Sequence, residues 1–103
     1  MTDGSDPRPR RPDRALIGIV ARAHAWAGRL VCGEARSIAE IAAAEGVTDR
    51  YVRRLLDLAF LAPDIVAAIL EGSQPADLSA ERLTRLPNLP AGWAEQQRLL
   101  GFV

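Results

Sequence analysis

Lysine is absent from this chain, and all thirteen basic residues are arginine. Cysteine occurs once, at Cys32, so no intrachain disulfide can form. Cys32 falls at the end of an apolar helical stretch, where a small core or edge residue is expected. Histidine also occurs once. His24 has no second ligand candidate near it, so no metal site is expected. The aromatic share is only 5%, so the core must be built mostly of Ala, Leu, Ile and Val. No apolar run is long enough to span a bilayer, and the polar, proline-rich start does not resemble a signal peptide. A membrane location is therefore not expected, and the cytoplasm is the default.

The constellations that carry catalysis are missing as well. There is no glycine-rich phosphate loop, no Cys/His pair and no Ser/His/Asp set. Ser5, Ser37, Ser73 and Ser79 lie in a tail, at helix starts or in a loop, with no base placed to activate them. Glu34, Glu40 and Glu45 are scattered over positions expected to face solvent. The reading is non-enzymatic, with no catalytic residue, no metal and no cofactor. Net charge is zero, which argues against strong non-specific DNA affinity. The charge is nevertheless uneven. Residues 1–36 hold seven arginines and four acids, residues 37–62 three and four, and residues 63–103 three and five.

What is present reads as helix throughout, with no sustained two-residue alternation and no internal repeat. A chain of 103 residues suits one small domain. Residues 1–13, low in apolar content and rich in Pro, Asp and Arg, are expected to form a disordered basic arm. Residues 14–103 are expected to form an all-α domain of five to six helices. Asp13 is placed to cap a first helix over 14–33, with Trp26 in the core. Ser37 caps a second, and Glu40 completes a capping box. The third is expected from about Asp49 to Leu61. Pro63 opens a fourth that ends at Gly72. Ser79 caps a fifth through Leu86, and a last helix spans about 91–100.

The most specific stretch is Ser37 to Leu56, SIAEIAAAEGVTDRYVRRLL. It has the punctuation of a helix-turn-helix, a motif that lays its second helix in the major groove of DNA. Gly46 suits a turn needing positive φ, and Ala42 allows close approach at the helix crossing. Ile38, Ile41, Val47, Val52, Leu55 and Leu56 supply the inner face. Thr48 caps the second helix, and Asp49 suits the positive end of its dipole. Glu45 departs from the usual apolar residue before the turn glycine. Thr48, Asp49, Arg50, Arg53 and Arg54 are expected on the outer face, with Arg50 and Arg54 one turn apart. Arginine reads guanine O6 and N7 and clamps phosphates. Thr48 and Ser37 are candidate phosphate donors, and Tyr51 either packs at the edge of the motif or touches the DNA backbone. The alternative is that these arginines only solvate an exposed face, pairing with Asp49 and Asp57.

The segment SIAEIAAAEGVTDRYVRRLLDLAFLAPDIVAAILEG resembles the helix-turn-helix region of ParB- and KorB-type partition proteins. With ARAHAW and WAEQQRLLGF added, residues from about 15 to 102 resemble a C-terminal region of alphaproteobacterial and phage large serine recombinases, relatives of the resolvases. That resemblance implies double-stranded DNA binding within a site-specific recombination system. It does not imply the recombinase chemistry, which belongs to a separate catalytic domain for which this chain has no room. A homodimer or a separate recombinase is the expected protein partner, with any self-contact at the last helix. The competing expectation is a helical protein-interaction module whose Trp93, Leu99, Leu100 and Phe102 present an apolar patch.

Overall fold

The computed structural model describes residues 11–86 and 89–102. Among the described residues every regular element is helical. The helices are α1 (Arg14–Val31), α2 (Ile38–Glu45), α3 (Asp49–Asp57), α4 (Pro63–Glu71), α5 (Ala80–Arg85) and α6 (Trp93–Leu100), with a single 3-10 turn at Leu58–Phe60. The fold class is therefore all-α.

Local chemistry sets most of the helix ends. The side chain of Asp13 accepts from the Leu16 amide at 3.1 Å. Ser37 accepts from Glu40, Thr48 from Tyr51 and Ser79 from Arg82, each at 3.1 Å. Each cap satisfies one amide that has no partner within its own helix. Gly46, Gly72 and Gly101 close α2, α4 and α6 in the left-handed conformation.

One continuous core runs through all the helices. From α1 it takes Leu16, Ile19, Val20, Ala23 and Trp26 on a single face, at the three- and four-residue spacing of a helix. Ile41 and Ala42 of α2, Val52 and Leu55 of α3, Ile65 and Ile69 of α4, Leu83 of α5 and Leu100 of α6 pack into the same cluster. Ile38, Val47 and Leu56 pack against its edge, half-buried.

The third helix is shorter than its apolar spacing suggests. It ends at Asp57, and the chain tightens into the 3-10 turn before Pro63. There are two causes. Proline disfavours the helical conformation in the residue before it, and Ala62 is extended at φ −55°, ψ 141°. The Ala62 amide also has another acceptor, the Oε1 of Gln96 at 2.8 Å. Gln96 is fully buried, and its Nε2 donates to the carbonyls of Phe60 (3.1 Å) and Pro90 (2.8 Å). One side chain of α6 thus holds the α3–α4 corner and the segment that leads into α6.

The expected arm overlaps the fold at its last three residues. The Arg11 amide donates to the Gly72 carbonyl at 2.8 Å, and Gln74 Nε2 donates to the Arg11 carbonyl at 3.1 Å. Residues 1–10 of that arm lie outside the described residues. Cys32 is exposed, as the C-terminal cap of α1. Glu34 and Glu45 are exposed, as expected of surface charge, and both also reach Arg29, at 3.7 and 3.3 Å. This gives Glu45, just before the turn glycine, a partner on α1. A solvent-facing ion pair thus stands beside the turn where an apolar contact is usual.

Candidate nucleic-acid interface

The α2–α3 unit is two capped helices joined by Gly46, Val47 and Thr48. Gly46 stands at φ 69°, ψ 32°, a conformation that costs any residue with a β-carbon. Its amide and that of Val47 both donate to the Ala42 carbonyl, so the last turn of α2 is closed from within. Ala42 is buried, as a close crossing requires. The geometry places α3 with Val52 and Leu55 wholly inside. Its opposite side is left to solvent.

Arg50 and Arg53 occupy that open side, three residues apart and therefore neighbours on the helix surface. Among the described residues neither makes an ion pair, although Asp49 and Asp57 flank them on the same helix. They line a shallow depression of about 450 Å³ together with Ile38, Arg54, Leu56 and Asp57. Asp49 is exposed in the first turn of α3.

Ser37 and Thr48 are exposed at the N-termini of α2 and α3. Each hydroxyl oxygen is engaged by a cap amide, and each hydroxyl proton remains available to donate outward. The two hydroxyls and the amides around them form the kind of positive helix ends that suit phosphate oxygens.

Two of the seven candidate residues turn inward. Arg54 is half-buried, and its Nη1 donates to the carbonyl oxygens of Leu86 (2.8 Å) and Thr84 (3.4 Å). These carbonyls close the C-terminal end of α5, where helix carbonyls lack partners and a cation is favoured. Arg54 thus shares the depression with Arg50 while its guanidinium is spent on α5. Tyr51 is half-buried and faces α1. Its ring meets Trp26 edge to face at 6.3 Å between centroids and 73° between planes. Its hydroxyl accepts from Arg22 Nη1 at 3.4 Å. Of the two expectations for Tyr51, packing at the edge of the motif is the one seen.

Arg22 is a residue that sequence reasoning missed. It is an exposed cation of α1 held beside the first turn of α3. Its distance of 29 positions from Tyr51 hid it from any reading confined to the motif. The local balance stays modest, since Glu40, Asp49 and Asp57 offset part of the positive charge.

Among the described residues no group of three or more His, Cys, Asp or Glu could hold a metal ion. No helix among them is long and apolar enough to cross a membrane. Compared with known protein families, with curated proteins and with solved structures, the chain matches none.

Proposed function

We propose that this chain is a non-enzymatic, sequence-specific DNA-binding module that lays α3 in the major groove. The observation that carries the reading is the open face of α3. Arg50 and Arg53 project from a capped helix, behind a left-handed glycine turn, with no ion-pair partner among the described residues. In this reading Arg50 and Arg53 contact base edges or phosphates. Ser37 and Thr48 donate to the phosphates at the two helix ends. Arg22 extends the positive surface along α1. Arg54 and Tyr51 act indirectly, by holding α3 at its angle to α5 and α1. The resemblance to recombinase C-terminal regions and to ParB- and KorB-type domains supports a setting in site-specific recombination or mobile-element regulation, inside the cell.

Two or three cations per copy correspond to a salt dependence of roughly −2 to −3 in log K against log salt. The affinity of one copy should therefore be weak. The test is selection from a random duplex library with the purified chain, at low and near-physiological salt. Enrichment of one motif that survives added salt is the expected result. Motif-free binding that vanishes with salt would reduce the reading to a non-specific contact.

A second reading draws on a different observation. Phe60, Trp93 and Leu70 are exposed together, which favours a helical protein-interaction module without DNA contact. Of the residues expected in such a patch, Trp93 and Leu99 are exposed, while Leu100 is buried and Phe102 half-buried, and it is Phe60 and Leu70 that join Trp93. Failure to bind DNA at either salt would move this reading to first place.

A further inference from the structure

Phe60, Trp93 and Leu70 keep 73%, 59% and 55% of their surface exposed in a chain with few aromatics. They come from three elements, the 3-10 turn, α6 and α4, yet all three line one depression of about 510 Å³. Ala59, Leu61, Pro63, Val66 and Ala67 extend its apolar walls, and His24 of α1 lines it as the one polar side chain. On its other side, Phe60 and Trp93 also line a second depression, of about 480 Å³, with Leu89, Pro90, Ala91 and Asp57. The face is thus a ridge of two aromatic side chains with a hollow on either flank.

We infer that this face is where a second copy of the same chain docks, with two-fold symmetry. The inference deepens the DNA-binding reading, and rests on it for its purpose. Three features favour a second copy over another occupant. An isologous interface must be its own complement, and a ridge beside a hollow fits a copy of itself turned about a two-fold axis. The chain carries no net charge, so two copies meet without long-range repulsion. The area is also of the right size. The three exposed side chains offer about 400 Å², taking roughly 150–250 Å² for a whole aromatic side chain. The surrounding apolar walls bring the face towards ~600 Å² per copy, near the lower bound of a specific dimer.

The position of the face supplies the reason for a dimer. Asp57 lines both the second hollow and the depression that holds Arg50 and Arg53. The docking face therefore begins where the cationic face of α3 ends. A two-fold dimer built on it would double a cation count that is small for one copy. Paired half-sites are the usual target of such an arrangement.

The test is sedimentation equilibrium of the full chain without DNA. The wild type should be a reversible dimer, with dissociation in the micromolar range expected for a small interface. Phe60→Glu and Trp93→Glu should each raise the dissociation constant at least ~30-fold, the ratio that a central aromatic anchor commands. Both positions are exposed, so circular dichroism and the melting temperature should hold, which separates lost docking from lost folding. Leu99→Glu is the control, an exposed apolar residue of α6 that lines neither hollow, and it should leave the dimer intact. A wild type that stays monomeric into the hundreds of micromolar overturns the inference. So does a dimer that both glutamate variants leave unchanged. A dimer that is broken by them but ignores DNA supports the interface and sinks only the DNA reading. A monomer that selects a DNA motif does the reverse.

Discussion

Replacing Gln96 by methionine tests whether one buried amide organises the corner between α3 and α4. Methionine is close in volume and flexibility, so the change removes hydrogen bonds while leaving little cavity. The Ala62 amide is buried and would lose its acceptor at 2.8 Å. Leaving such a group unpaired costs about 1–3 kcal/mol. The carbonyls of Phe60 and Pro90 would each lose a donor, at 3.1 and 2.8 Å. Water can reach part of that region, so each adds only about 0.5–1 kcal/mol. Burying the apolar thioether returns one methylene's worth, ~0.8 kcal/mol. The net loss should be roughly 1–4 kcal/mol, a large share of the 5–15 kcal/mol typical of a small domain. In urea denaturation the midpoint should fall by about 2 M at an unchanged slope. A loss under ~0.5 kcal/mol would refute the argument. Gln96→Glu sharpens it. A carboxylate there faces two carbonyl oxygens and has no donor for them, so burial and repulsion raise its folded pKa above the unfolded ~4.3. A raised folded pKa means that the folded state binds the extra proton. Stability relative to wild type at the same pH should thus be best near pH 4, and fall as pH rises through the folded value. A penalty that is flat from pH 4 to 7 would show that the side chain is not held between those carbonyls.

The arginines of α3 should separate into two kinds. Arg50→Ala and Arg53→Ala should leave stability within ~0.5 kcal/mol. In DNA binding, measured by anisotropy, each should cost about 1–3 kcal/mol at a cognate site if it reads a base, or about one unit of salt slope if it holds a phosphate. Arg54→Ala should instead lower unfolding stability by roughly 1–2 kcal/mol, through loss of the bonds to the Leu86 and Thr84 carbonyls. A fully stable Arg54→Ala protein would count against its role as the anchor of α5. Two glycine turns should also differ. At Gly46 an added β-carbon meets nothing within 4 Å, so Gly46→Ala should cost only the left-handed conformation, ~1 kcal/mol. At Gly72 the β-carbon would lie 2.5 Å from the Pro12 nitrogen and 2.7 Å from its Cδ. Gly72→Ala should therefore also lift Arg11 and Pro12 off α4 and lose more, about 2 kcal/mol in total. Equal losses at the two sites in thermal melts would refute the close approach.

Much of the architecture was legible because helix ends are local events. Asp13, Ser37, Thr48 and Ser79 announce helix starts within three residues of the amide each one binds. Glycines and Pro63 announce stops and restarts through backbone geometry alone. The inner faces of α1 and α3 follow from spacing, since apolar side chains at helical intervals have one side to bury. The same locality put Arg50 and Arg53 on an open face.

What the chain could not announce were the contacts made across long stretches of sequence. The early end of α3 depends on Gln96, 34 positions away, which takes the Ala62 amide out of the helical ladder. Arg54 resembles Arg50 in sequence, and only the arrival of α5 beside it turns its guanidinium towards two carbonyls. Tyr51 packs inward only because α1 places Trp26 and Arg22 against it. The apolar face is likewise a product of assembly, because Phe60, Leu70 and Trp93 belong to three elements whose spacing says nothing of their meeting. Helix identity and capping were determined by the sequence itself, through interactions that close within one turn. The tertiary structure decided which side chains were spent inside and which remained to meet a partner, because packing brings distant donors, acceptors and apolar surfaces into competition for the same space.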